Sequence, residues 1–565
     1  MSGYTGKSIR IDLSSGKKEI YETPAELCSD YLGGRGLGVA LIGDRIKHDY
    51  DSPDMPIIFA TGPLVGTAAP TSGRMAVVSR SPLTGTIFDC SVGGKFGTLL
   101  KKAGFDMIGI TGISDKWVYL DIDNEKISIT GAEGLAEKNV SESSSLLGKG
   151  VSCAVIGRAG EKRVRYASII IDGHYAAGRG GLGAVMGAKK LKAIRVRGDN
   201  AVPVADPDLL ARSREDIMRQ LRASPAVFGE FGLSEFGTAA LVDLIHSRRM
   251  EPTENFRKTI FPDSSSYSGY AMKTRYQSKK TGCAGCPVLC KKIGAGGEII
   301  PEYETVSHFG ALNGCSDPDA IVKANAICND YGIDTISAAS SIACYGEING
   351  MKLSTPQTID LLTDIAERRG DSGSALAEGS YRYALSKGRP DVSISVKKLE
   401  LPAYDPRGAY GMALAYATSN RGGCHLRAYP VSHEILRKPV ATDRFSFEGK
   451  ARMIKIAEDI NAVIDSLTAC KFVFFAAGLD EYAKAMSAVT GKDCNVQSLL
   501  KIGERIWDLE RKMNHMNGFT IDDDDLPARF FREEGSSSAT IRIAPIDRKE
   551  FLRARENYYR IRGYE

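Results

Sequence analysis

The sequence predicts an α+β protein, rich in strands over residues 1–206 and mainly helical from 207 to 565. Three observations carry this reading. Short runs of β-branched and aromatic residues flank tight turns up to about residue 205. Helical periodicity with capping residues takes over from Pro207. Cys283, Cys286 and Cys290 then cluster in one loop inside the helical part, which asks for a metal or cluster rather than a disulfide framework.

In chain order, "KSIRIDLSSGKKEIYET" reads as a strand pair about Ser14-Ser15-Gly16, and "WVYLDIDNEKISITG" as another about Asp123-Asn124. "SCAVIGRAGEKRVRYASIII" reads as a third, with Gly160 in its turn. Glycine-rich connections lie between them: "GGRGLG" from Gly33, "SVGGKFG" from Ser91 and "AAGRGGLGAVMG" from Ala176. A helix starts near Pro207, capped by Asp206 or Asp208, and another follows Asp317-Pro318 and ends at Gly332. Asp334 or Thr335 caps the next. From about residue 400 the chain is mostly helical, with loops at "TSNRGGCHLRAYP" and "IDDDDLPARFF"; Asp522 to Asp525 read as a solvated turn. No fixed-period repeat is visible.

A length of 565 residues suggests about three or four domains or subdomains. The net charge of +5 is too mild to point to nucleic acid. With no apolar signal-peptide core and no uncharged apolar run of membrane-spanning length, a soluble cytoplasmic protein without membrane insertion is expected. Twelve cysteines in such a protein are expected to be reduced thiols or metal ligands.

C-x2-C-x3-C supplies three soft ligands from one loop, and three clustered cysteines plus a distant one is the pattern of a [4Fe–4S] site. Cys470 suits the fourth position; Cys424 and Cys494 compete on spacing alone. A zinc site or three buried thiols are the other readings. "GGRGLG" and "GRGGLG" loosely fit phosphate cradles, each with an arginine. A P-loop is absent, and "GRGLGVALIG" follows no clear strand, which disfavours a dinucleotide fold.

"GPLVGTAAPTSGRMAVVSRSPLTG", "GGKFGTLLKKAGFDMIGITG", "GHYAAGRGGLGAVMGAKKLKAI", the cysteine loop, "PEYETV", "CNDYGIDTIS", "RGGCHLRA" and "DDDLPARF" stand in the order found in the tungsten-containing aldehyde ferredoxin oxidoreductase family, which the chain resembles over nearly its whole length. The resemblance implies a β-sheet base (residues 1–206) under two mainly helical domains enclosing a metal–pterin site. Residues 207–400 would carry the cysteine loop and the first pterin motif, and 401–565 the fourth cluster cysteine and a substrate-pocket histidine. It implies a tungsten (or molybdenum) bis-pterin, held by its own dithiolene sulfurs, beside a [4Fe–4S] cluster on Cys283, Cys286, Cys290 and Cys470.

The implied pterin contacts are Arg74, between cluster and pterin; Ser91, Gly93, Arg179 and Gly180, near the phosphates and a bridging Mg²⁺; Asn329 and Asp334; Arg427; and Asp465. The sequence departs from the family at Thr468-Ala469, which replace Gly-Leu before Cys470, at Asn329, an amide in place of a carboxylate, and at Ser91, where an asparagine is often found. His425 and Glu304, with Glu302 the close alternative, resemble the catalytic pair; His308 is expected to pack. No E-x-x-H occurs, so an iron-bridged dimer is not expected, although a homodimer or electron-transfer subunits remain open.

The implied activity is oxidation of a small-molecule aldehyde to a carboxylate with electron transfer to ferredoxin. The alternatives are the catalytic subunit of a tungsten-dependent aryl-acyl-CoA reductase of the benzoyl-CoA type, taking an acyl substrate, and a non-catalytic iron–sulfur or zinc protein. From charge alone, Lys273, Arg275, Lys279, Lys280, Lys291 and Lys292 form an expected basic rim for an acidic ferredoxin-type carrier, against a plain solvated loop.

Overall fold

The computed structural model describes residues 2–564. Residues up to Arg197 build two six-stranded sheets. The first holds β1 (Lys7–Asp12), β2 (Lys17–Glu22), β3 (Ile57–Ala60), β4 (Met75–Arg80), β5 (Ile87–Val92) and β6 (Met107–Thr111), ordered β2-β1-β6-β3-β4-β5. The second holds β7 (Val118–Asp123), β8 (Lys126–Gly131), β9 (Ser152–Val155), β10 (Ile169–Ile171), β11 (Tyr175–Ala177) and β12 (Leu191–Arg197), ordered β8-β7-β12-β9-β10-β11.

The second order is the first shifted by one whole unit. In each sheet only the pair joining the unit's first and last strands, β1 with β6 and β7 with β12, is parallel. Every other pair is antiparallel. One topology is therefore used twice, and the edge strands β5 and β11 of the two units meet. The repeat is hidden in the sequence because topology constrains burial and not identity. In β1, "KSIRID" hides Ser8, Ile9 and Ile11; in β7, "VYLDID" hides Val118, Leu120 and Ile122.

The first two expected strand pairs form as β1–β2 and β7–β8. The third differs. β9 and β10 do pair, but Gly160 lies inside a helical turn, Arg158–Glu161, between them. The helix Leu182–Ala188 presses against it: a Cβ on Gly160 would stand 3.2 Å from the Gly183 carbonyl oxygen, and one on Gly187 1.9 Å from the Gly160 carbonyl oxygen.

Beyond the sheets the chain is helical with short hairpins. Asp206 caps Pro207–Ala223 by accepting from Leu209 N at 2.8 Å. Asp317 caps Pro318–Tyr331, Gly332 ends it in the left-handed conformation, and Asp334 caps Thr335–Ile348. The aspartate run departs from a purely solvated turn: Asp522 and Asp523 are exposed, but Asp524 is buried between Lys397 and Arg511. Among the described residues no helix is long and apolar enough to cross a membrane.

The close approach at Gly187 yields a test. Alanine at a helix interior normally gains about 1 kcal/mol over glycine. Here the Cβ has only backbone to meet, so Gly187→Ala should lower the thermal unfolding midpoint, with an overpacking penalty of about 1–3 kcal/mol. A midpoint equal to or above wild type would show that this contact relaxes freely.

Candidate active site

The end of β5 (Asp89, Cys90, Ser91) and the loop after β11 (Gly178, Arg179), which stand at equivalent places in the two units, both line one cavity of about 2240 Å³. Ordinary small-molecule sites hold about 300–1,000 Å³, so this space suits something larger. Its walls include Arg74, Ser91, Arg179, Glu304, Asp334, His425, Arg427 and Asp465, together with Cys283, Cys290 and Cys470.

On the β5 side, Arg74 donates to the Ser91 hydroxyl (2.9 Å) and the Ser91 carbonyl (2.7 Å). Gly93 lets the cysteine loop come close, since a Cβ there would lie 2.4 Å from Cys283 Sγ. Because Arg74 Nε engages the Ser91 hydroxyl, the geometry lends no support to the expected bridging Mg²⁺. On the β11 side, Arg179 donates to the carbonyls of Glu400 and Gly423 and faces Asp334 at 3.7 Å. Gly180 sits at φ +78° with the Phe88 ring 2.6 Å from where a Cβ would be.

The four expected cluster cysteines share one locality. Burial pushes the Cys286 thiol up to about 11, with Cys470 and Cys283 adding to it. Cys290 is raised for the same reasons, as is Cys470, where Arg74 works in the opposite direction. Burial alone would lower the Arg74 guanidinium, but Cys470, Cys283, Asp465 and Cys290 outweigh it. The competing thiols lie elsewhere: Cys424 Sγ accepts from Arg421 at 2.9 and 3.2 Å, and Cys494 N donates to Ser487. Among the described residues no three His, Cys, Asp or Glu side chains close around one point as ligands of a single ion do. A cubane binds each thiolate to a different iron and needs a wider ring.

His425 and Glu304 face each other, with His425 Nε2 at 3.6 Å from Glu304 Oε1. Glu304 heads the helix Tyr303–Phe309, and its other oxygen accepts from Ala403 N at 2.9 Å. Burial lifts its carboxyl to about 8. Burial also holds His425 well below its usual range, helped by Arg179 and Arg421. The His425 ring packs against Tyr404 and Tyr429. Glu302 also lines the cavity but pairs with Lys291 at 3.1 Å. His308 is fully buried between the carbonyls of Glu304 and Leu401, as expected of a packing histidine.

Asn329 is not brought to this group. It lies partly buried on the last turn of Pro318–Tyr331, next to the inward-facing Cys328, and does not line the cavity.

At the cavity floor lies an ionic network that sequence reasoning missed. Arg427 pairs with Asp89 and with Asp465 (3.2 Å); Arg35 clasps Glu510 at 2.7 and 2.8 Å and approaches Asp465 at 3.5 Å. Burial opposes ionisation of Asp89, but Arg427, Arg35 and Arg421 hold its carboxyl far below the usual range. An aspartate in the otherwise apolar "IFDCSV" is the signal that marks it. The same network corrects the reading of "GGRGLG" as a phosphate cradle. Arg35 is consumed by Glu510, and a Cβ on Gly34 would stand 2.5 Å from the Asp465 carbonyl oxygen, so this segment is a packing joint.

The basic rim is also corrected. Lys273 and Lys280 both pair with Glu235, Arg275 with Asp319 and Lys291 with Glu302. Lys292 is buried, which lowers its ammonium to about 8, and donates to the Leu289 carbonyl. Among the described residues Lys279 alone of the six is both exposed and without a close acidic partner. The partners come from segments distant in sequence, which a local charge count does not register.

Comparison with known proteins accords with this architecture. The family model for the aldehyde ferredoxin oxidoreductase N-terminal domain matches residues 8–198, and that for domains 2 and 3 matches residues 212–565. Tungsten-containing aldehyde ferredoxin oxidoreductases of Pyrococcus furiosus and Thermococcus kodakarensis are 40% and 39% identical, each aligned over 100% of this chain and 97% of the relative. The solved active site complex BamBC of benzoyl coenzyme A reductase, in complex with 1,5-dienoyl-CoA, superposes with a TM-score of 0.84 at 23% identity, covering 100% of this chain and 95% of that one. With both family models accounting for nearly the whole chain and relatives at this identity along its full length, the protein belongs to the aldehyde ferredoxin oxidoreductase family of oxidoreductases.

Proposed function

We propose that this chain oxidises aldehydes to carboxylates on a tungsten bis-pterin, with a [4Fe–4S] cluster on Cys283, Cys286, Cys290 and Cys470 and a ferredoxin-type acceptor. The observation that supports this most is a set of buried polar atoms with no partner: Arg179 Nε, Glu304 Oε1, His425 Nδ1 and Arg427 Nε, all on residues lining the same cavity. Each such atom costs about 1–3 kcal/mol when left unpaired. Four around one space therefore fit a large polar group. Arg74, Ser91, Gly93, Arg179, Gly180, Asp334, Arg427 and Asp465 would hold it, with guanidinium groups suited to phosphates and carboxylates suited to amide edges. When bound, the tungsten pterin supplies two-electron redox chemistry and the cluster releases electrons singly.

The chain's own residues handle the proton and the carbonyl. Glu304 is protonated at neutral pH, so Oε1 can donate a hydrogen bond to a carbonyl oxygen. Burial keeps His425 neutral there, and its unpartnered ring nitrogen can hydrogen-bond water or a hydrated aldehyde as its proton moves. Tyr404 and Tyr429 pack against the imidazole ring and against each other.

His425→Asn should keep tungsten, pterin and iron but lose about 10²–10⁴-fold in kcat. Wild-type turnover at full metal loading would remove the role. Cys470→Ala should lower iron content and the reduced-state EPR signal, whereas Cys424→Ala should not; the reverse pattern would reassign the fourth ligand.

The pH profile tests Glu304. Its proton donor is present below about pH 8 and lost as pH rises through 8, so kcat/KM for a simple aldehyde should fall on that alkaline limb. Glu304→Gln cannot ionise and should abolish the limb; an unchanged limb in that variant places the titration elsewhere. Turnover of an aryl-CoA thioester in place of every aldehyde tried would replace the proposed activity with the ring-reductase one.

A further inference from the structure

The proposed chemistry leaves the charges at the cavity mouth unused. The helix Lys450–Leu467 forms one wall, with Arg452, Met453, Ile456, Ile460, Ile464 and Asp465 recurring on its lining face at helical spacing. The rise from Arg452 to Asp465 is roughly 20 Å. Asp465 is buried in the floor network, while Ile456 is 43% exposed, so this face runs from the candidate site to solvent.

Arg452, Arg560 and Lys438 line the same cavity and are exposed. Among the described residues none of the three has an acidic partner within 4 Å; Arg560 donates only to the Asn557 side chain, at 2.8 Å, although Glu556 stands one turn away. This contrasts with the cations around the cysteine loop, most of which are neutralised. Among the described residues the exposed acids lining the cavity are Glu302, which Lys291 engages, and Glu230; Asp89, Glu304, Asp334 and Asp465 lie deeper. Large apolar side chains share the mouth: Phe231 is 74% exposed and Val440 64%. Unpaired cations beside exposed apolar surface, at the outer end of an apolar wall, match a ligand with an apolar body and a negative end.

We infer that this mouth selects substrates carrying an anionic group, carboxylate or phosphate, at the far end of an apolar body, bound by Arg452, Arg560 and Lys438. The inference rests on the proposed activity for the reactive end of the substrate and not for its anionic end.

Two measurements on the holoenzyme test it. The first compares kcat/KM for 12-oxododecanoate with that for its methyl ester, which differs only in charge. The acid should be favoured by about tenfold, the order expected of a few screened charge contacts. The ratio should fall to near one in the Arg452→Gln/Arg560→Gln/Lys438→Gln variant, return in Arg452→Lys/Arg560→Lys, and shrink with added salt. A ratio of one in wild type, or a preference that survives the glutamine variant, overturns the inference. The second is calorimetric binding of dodecanedioate, its monomethyl ester and free coenzyme A, which requires no turnover. Tighter binding of the dianion, lost in the glutamine variant, supports a carboxylate; arginine-dependent binding of coenzyme A supports a phosphate. Equal binding of diacid and ester with no coenzyme A binding overturns it. If neither aldehyde turns over while the diacid binds through the arginines, the oxidation reading fails and the anion site stands.

Discussion

Everything about the cavity depends on one buried ionic knot. Three buried carboxylates, Asp89 in the first sheet, Asp465 on Lys450–Leu467 and Glu510 on Val496–Met516, are balanced by three cations, Arg35 on the helix Gly34–Ile42, Arg427 in the "RGGCHLRA" loop and Lys471. Removing one partner from such a set typically costs about 3–5 kcal/mol, because the charge left behind has no solvent to turn to. The knot ties the sheet base to the C-terminal helices across more than four hundred residues of chain, and Gly33 and Gly34 let the backbone at Asp465 and Ser466 come that near. It also fixes Arg427, and hence the loop carrying His425, in place.

The same low-polarity surroundings set the chemistry of the pair above it. Burial penalises whichever form is charged, so it raises Glu304 and lowers His425. Both shifts favour the uncharged form, a carboxyl that keeps its proton and an imidazole that stays neutral; an exposed pair at the same separation would instead tend toward an ordinary ion pair.

What the sequence discloses is what local chemistry dictates. The thiol spacing of Cys283, Cys286 and Cys290, the caps at Asp206, Asp317 and Asp334, and the turns at Gly16 and Asn124 all follow from neighbours within a few positions. Cys470, Arg74, Arg179, Arg427, Asp465, His425 and Glu304 are named through motifs long enough to identify a family, and they line one cavity. What the sequence hides is settled at a distance. Glu235 quenches two lysines of the supposed basic rim from some forty residues away. Asp524 looks solvated until Lys397 and Arg511 close on it. Gly160 lies in a helical turn because the helix Leu182–Ala188 packs there. The doubled sheet escapes notice because its two copies share a path and not a pattern of residues.

That doubling carries a consequence for how the enzyme is organised. A base made of two like halves brings the ends of β5 and β11 to one cavity, yet what stands above each half is different. Arg74 and Gly93 of the first half meet the cysteines, while Arg179 of the second turns its field on Glu304 and His425. One strand path used twice thus carries two unlike surroundings, a thiol-lined flank against the first sheet and a histidine–carboxyl flank against the second.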